Sequence, residues 1–275
     1  MKKRVISVAV LIPLMSVCIF ACRQTRILFF MIAGILCAIE LCRNLEKLNV
    51  NCIAWIMVAY LTGQAILTLC SCRLNASCVL FLCVVYAAGI TGLFCKQVAG
   101  KGVMATMAGL VYPCLIFGLL IVIAGSDVWL EVFSLACVST WICDSFAMFG
   151  GRRFGKNKIA PDISPNKTVE GCIFGAISSL LAGVTVWMLG IVFKGKLFGC
   201  SYISFSLWQC ELIAFTASTM GQLGDLVESM LKRMIGVKDF SQLIPGHGGM
   251  LDRADSLMFS IPTAYMVIVF LSNIA

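Results

Sequence analysis

Long apolar stretches separated by short polar ones set the rhythm of this chain. A helix needs about 20 mostly apolar residues to cross a bilayer, and nine stretches meet or approach that length: Val5–Cys22, Ile27–Cys42, Cys52–Ser71, Ser77–Cys95, Gly102–Ala124, Val128–Phe149, Gly171–Phe193, Cys200–Gly224 and Leu257–Ile274. The second is short, and the sixth and eighth carry acidic residues. The pattern predicts an all-α fold: a polytopic integral membrane protein of about nine transmembrane helices. It reads as a single membrane-embedded domain over 1–275, with N-terminal helices in 1–124 and the polar, chemistry-bearing helices and loops in 125–275.

Composition agrees, since 60% of residues are hydrophobic and only 12% charged, which is not the balance of a soluble domain. If the nine spans alternate, sixteen of the 21 basic residues fall on one face, leaving Arg23, Arg26, Arg73, Lys194 and Lys196 on the other. Lys and Arg are retained on the cytoplasmic side, so the N-terminus is expected there and the C-terminus outside. The opening residues, "MKKRVISVAVLIPLMSVCIFAC", also fit a cleaved signal. The later spans continue the same pattern and favour a retained helix.

The sixteen cysteines lie mostly inside the spans without a zinc-type double CxxC, and one histidine accompanies them. A Cys/His metal site is not expected from that spacing, and the thiols read as small hydrophobes in a reducing compartment. The net charge of +8 does not point to nucleic acid, because the basic residues sit in short loops beside apolar spans. Anionic lipids and phosphorylated substrates fit better.

Two cytoplasmic loops hold half of the charged residues. The first, in "CDSFAMFGGRRFGKNKIAPDISPNKTVEG", contains Gly150, Gly155 and Lys156 at the spacing of the phosphate-cradling GxxxxGK[ST] motif. Asn157 stands where that motif needs a hydroxyl, and the stretch leaves a membrane helix rather than a strand. Pro161 and Pro165 predict irregular backbone beyond it. What survives is a set of five cations, Arg152, Arg153, Lys156, Lys158 and Lys167, which alone would read as a topology signal.

Acids change that reading. Asp144 lies inside the sixth span, where a charge costs about 3 kcal/mol unless it faces partners or water. Asp225 ends the eighth span and Glu228 follows three residues on, so a continuing helix puts both on one face. Asp252 and Asp255 repeat the spacing, and Asp239 brings the acids at one membrane boundary to six, interleaved with Lys232, Arg233, Lys238 and Arg253. Carboxylates suit Mg²⁺, and cations beside them suit phosphates. His247, between Gly246 and Gly248, has three open roles: orienting a phosphate, transferring a proton or closing a turn.

Ser229, Lys232, Arg233, Lys238, Asp239, Pro245, His247, Gly248, Gly249, Asp252, Arg253 and Asp255 together resemble the signature of the phosphatidate cytidylyltransferases, integral-membrane enzymes also called CDP-diacylglycerol synthases. "FGKNKIAPDISPNKTVEG" resembles that family's other polar loop, with Asp162 where relatives often carry a basic residue. Ala254 is smaller than the apolar residue usual at its place. The specific likeness runs from Asp144 to Ser256.

The resemblance implies a magnesium-dependent reaction of CTP with phosphatidate, giving CDP-diacylglycerol and pyrophosphate for phospholipid synthesis. It also implies a bacterial-type inner (plasma) membrane, membrane lipids as surroundings, no nucleic-acid partner, a second metal ion as an option and a homodimer as a plausible assembly. On that reading Asp225 and Asp252 lead as metal ligands, with Asp144, Asp239 and Asp255 behind them. Lys238, His247 and Arg253 join the catalytic set, and Lys167, Ser229, Lys232, Arg233, Gly248 and Gly249 the substrate-binding one. Two other readings stand beside it: a CTP-using transferase for a different lipid phosphate, and an ion-coupled transporter with Glu40, Glu131, Asp144 and Glu211 on its path.

Overall fold

The structure is a computed structural model that describes residues 18, 22–72, 74–95, 98, 100–192, 196–197, 200–201, 205–243 and 248–274. Most of the first expected span, together with Pro245 and His247, lies outside these described residues.

Each of the other eight apolar stretches contains helix, the eighth from Leu207 onward. In chain order they form α1 (Arg23–Glu46), α2 (Ala54–Leu69), α3 (Leu74–Phe94), α4 (Lys101–Gly109), α5 (Ile116–Ala124), α6 (Trp129–Phe154), α7 (Val169–Ser178), α8 (Leu180–Val192), α9 (Leu207–Ile235), the single turn α10 (Leu251–Ala254) and α11 (Leu257–Ile274). A π-helical segment, Leu110–Leu115, joins α4 to α5 at Pro113, whose missing N–H breaks the regular ladder. Six helical runs among the described residues are long and apolar enough to cross a membrane, fewer than the nine expected. Helix α9 is long enough, but Gln209, Glu211, Gln222 and Asp225 dilute its apolar character.

The surface of these helices is itself apolar. Leu93 is 81% exposed, Phe94 84% and Met104 73%, an arrangement that suits a hydrocarbon solvent, where only the backbone must satisfy itself internally.

Contacts divide the chain into two compact units, Met1–Ser126 with Ile235–Arg253, and Asp127–Met234 with Ala254–Ala275. In the first, α1 packs on α2 and α5. Two arginines from the first turn of α1 close that packing at one end. Arg23 donates to the carbonyls of Gly125 (3.0 Å) and Thr68 (2.9 Å), and Arg26 to that of Ala124 (3.1 Å). The last carbonyls of a helix lack intrahelical donors and carry its negative end, so these cations cap α2 and α5. That gives a structural reason for Arg23 and Arg26 to lie away from the main group of basic residues.

In the second unit α6 packs along α7, α8 and α11. The polar loop after α6 is more regular than Pro161 and Pro165 suggested. Strands β1 (Lys158–Ala160) and β2 (Ser164–Thr168) pair antiparallel, Lys158 opposite Thr168 and Ala160 opposite Ser164. Pro161 falls in the turn, and Pro165 is tolerated because a two-stranded ribbon has only edges. Thr168 then caps α7, its side chain accepting from Gly171 N. A second short hairpin pairs β3 (Lys196–Leu197) with β4 (Cys200–Ser201).

Candidate functional site

Helix α9 runs on to Ile235, past the end expected at Gly224. Asp225, Glu228, Lys232 and Arg233 lower hydropathy there without breaking a helix, so hydropathy and helicity part company. Asp225 and Glu228 consequently share a face, as their spacing requires. Gly224 lets the chain before α11 come close, since a Cβ there would lie 2.7 Å from the Asp255 carbonyl oxygen.

Carboxylate oxygens of Asp225, Glu228 and Asp255 lie within 4.8 Å of one another. Lys167, at the end of β2, places Nζ 2.5 Å from Asp225 Oδ2, and Lys232 places its Nζ 2.5 Å from Glu228 Oε2. Ser229 Oγ lies 3.4 Å from Asp225 Oδ1, a long hydrogen bond. Glu228 is fully buried, while Asp225 and Lys167 are partly open. Asp144 has Asp225, Asp255 and Lys167 as its electrostatic neighbours. Oxygens converging at this spacing suit a small hard cation with ligands at about 2.1 Å, and the two lysines offset the mutual repulsion of the acids.

The β1–β2 hairpin reaches the end of α9 through Arg233, whose Nε donates to Ile163 O at 3.2 Å. Glu170 accepts from Lys156 N (3.0 Å), Asn157 N (3.2 Å) and Asn157 Nδ2 (2.8 Å). The N–H groups that a nucleotide loop would turn toward phosphate are thus given to a carboxylate, and Asn157 has a structural partner. Arg152, Arg153, Lys156 and Lys158 are exposed; of the five cations in this loop, Lys167 is the one turned to the acids.

In the first unit side chains stitch Phe240 and Ser241 to α1 and to residues 249–252. Asp252, 7% exposed, accepts from Phe240 N (2.9 Å) and Gly249 N (2.8 Å) through Oδ2. Asn44 of α1 donates to Phe240 O at 2.6 Å. Glu40 of α1, 5% exposed, accepts from Ser241 Oγ (2.5 Å), Met250 N (2.9 Å) and Leu251 N (3.0 Å). The glycine pair follows from this geometry: Gly248 has φ +89°, and a Cβ on Gly249 would lie 2.7 Å from Glu40 Oε2. Lys238, Asp239 and Arg253 are exposed.

Of the acids expected as metal ligands, Asp225 and Asp255 enter the cluster and Asp144 stands by it, whereas Asp252 and Asp239 are not members. Glu228 is a member that the expected ligand set omitted; its three-residue spacing from Asp225 was the available signal. Glu40, unexplained in the sequence except as a step in an ion path, is a buried acceptor for the Ser241 hydroxyl and two loop amides.

Helices of membrane-crossing length, and in the second unit a cation-flanked carboxylate cluster, define a helical membrane protein with a centre able to hold a metal ion. The chain belongs to the cytidylyltransferase family, whose model matches residues 2–271. It is similar to the phosphatidate cytidylyltransferases of Staphylococcus saprophyticus (42% identity over 140 residues, 51% of this chain and 50% of the relative), Bacillus subtilis (42% over 137, 50% and 47%) and Thermotoga maritima (41% over 141, 51% and 50%). The matched stretch spans about half the length of these curated relatives.

Proposed function

We propose that this chain transfers the cytidylyl group of CTP to phosphatidate, giving CDP-diacylglycerol and pyrophosphate, at the inner leaflet of a bacterial-type plasma membrane with its polar loops cytoplasmic. The observation that carries the reading is the convergence of Asp225, Glu228 and Asp255 with Lys167 and Lys232, in a chain whose relatives bear that name.

In the reaction a phosphate oxygen of phosphatidate attacks the α-phosphorus of CTP. A new P–O bond forms as the bond to the oxygen bridging to the β-phosphate breaks, and pyrophosphate leaves with that electron pair. No protein nucleophile is needed. Magnesium held by Asp225, Glu228 and Asp255, with Asp144 as a further candidate, would neutralise charge on the phosphoryl oxygens. Lys167 and Lys232, paired with carboxylates here, would exchange those partners for phosphate. Arg233, Lys238 and Arg253 offer exposed cations to the triphosphate and lipid headgroup. Asp252 holds the backbone of the segment that carries Gly248, Gly249 and Arg253.

The test is direct. Purified protein in detergent, given labelled CTP, phosphatidate and magnesium, should release pyrophosphate and label the lipid. Polyprenyl and archaeal lipid phosphates in place of phosphatidate test the substrate; faster turnover of either than of phosphatidate refutes the lipid assignment, and no CTP consumption with any of them refutes the reaction.

A further inference from the structure

Helix α1 is apolar over most of its length, and a carboxylate inside it is costly unless it has work to do. Its partners lie more than 200 residues further along the chain: Ser241 Oγ, Met250 N and Leu251 N, at separations of 201, 210 and 211. One oxygen, Oε1, takes Ser241 and Met250, and the other takes Leu251. The two backbone donors open the turn α10, which carries Asp252 and Arg253. Four residues along α1, Asn44 donates both to Glu40 O (2.8 Å) and to Phe240 O (2.6 Å), so the segment is held at both ends by one face of one helix.

We propose that Glu40 is a positioning residue of the transfer site, its buried carboxylate fixing through Ser241, Met250 and Leu251 the conformation of the Gly248–Arg253 segment. The proposal rests on the transferase reading above for the activity it serves, and on the contacts alone for the loop it holds.

The chemistry narrows the substitutions that can stand in. A carboxylate only accepts, and all three partners here are donors. Glutamine fills the same volume but turns one oxygen into an NH₂ group, which in either orientation faces a backbone N–H, of Met250 or of Leu251, with another donor. A role in filling space predicts that Glu40→Gln is harmless, whereas a positioning role predicts that it is not. Glu40→Asp keeps two accepting oxygens on a shorter stem and should recover part of the loss. Ser241→Ala removes one donor of the same set, so its effect should be smaller once Glu40 is glutamine.

The full-length protein in detergent carries the experiment, with turnover, KM for CTP, thermal midpoint and amide hydrogen exchange measured for wild type, Glu40→Gln, Glu40→Asp, Ser241→Ala and the Glu40→Gln/Ser241→Ala double variant. Expected are a drop in kcat of about thirtyfold or more for Glu40→Gln, partial recovery in Glu40→Asp, and faster exchange at Met250 and Leu251. The midpoint should fall by only a few degrees, and the double variant should lose less than the two single losses combined. Wild-type kcat in Glu40→Gln, unchanged exchange at those amides, or additive losses in the double variant would overturn the proposal. If wild type itself consumes no CTP, the transferase reading falls separately, and exchange at Met250 and Leu251 still decides whether Glu40 holds the segment.

Discussion

At the scale of single residues, the cluster makes graded predictions. Asp225 meets Lys167 and shares the site with Glu228 and Asp255, so Asp225→Asn should lower turnover by at least about a hundredfold. Glu228→Gln should raise the magnesium needed for half-maximal rate by about tenfold; an unchanged magnesium titration would remove Glu228 from the ligand set. Gly249→Ala forces a Cβ against the Glu40 carboxylate and should cost about 1–3 kcal/mol, read as a lower thermal midpoint together with lost activity. Sequence spacing was a good guide at Asp225 and Glu228 because a continuous helix underlies both. It misled at Asp252 and Asp255, where α10 is a single turn that ends at Ala254, so the shared three-residue spacing does not put the two carboxylates on a common face. Glu40 was illegible for a different reason: its partners are remote in the chain, and two of the three are backbone amides, which carry no sequence signature.

At the scale of elements, apolar run length located eight helix-bearing stretches and failed mainly at their ends. Helix α6 continues to Phe154 and α9 to Ile235, each beyond the point where hydropathy falls away. Charged side chains end a membrane span but are good helix formers, and that difference extends both helices into the polar region that carries Asp225 and Glu228. The β1–β2 hairpin was hidden by its two prolines, which a ribbon without a central strand accommodates. Two elements rest on identifiable polar contacts. Thr168→Ala removes the cap of α7 and should cost about 1 kcal/mol. Arg23→Ala takes donors from the last carbonyls of α2 and α5 and should cost about 2 kcal/mol. Thermal unfolding in a fixed detergent checks both, and activity at saturating substrate should change far less than stability.

At the scale of the whole molecule, the arrangement of basic residues predicts that the two polar loops open to the same side of the bilayer. In a cysteine-depleted background, single cysteines at Lys158 and Lys238 should be labelled by an impermeant thiol reagent from one face only, and from the same face. Helix α1, which carries Glu40, and the segment that Glu40 fastens belong to one unit, assembled from Met1–Ser126 and the distant stretch Ile235–Arg253. Molecular surgery follows from that interleaving. A fragment beginning at Asp127 retains every carboxylate of the cluster, yet lacks the acceptor that tethers its own glycine-rich turn, and expressed by itself it should be inert. Supplying 1–126 as a separate polypeptide in the same membrane should revive it, two pieces restoring by association what the intact chain achieves by continuity.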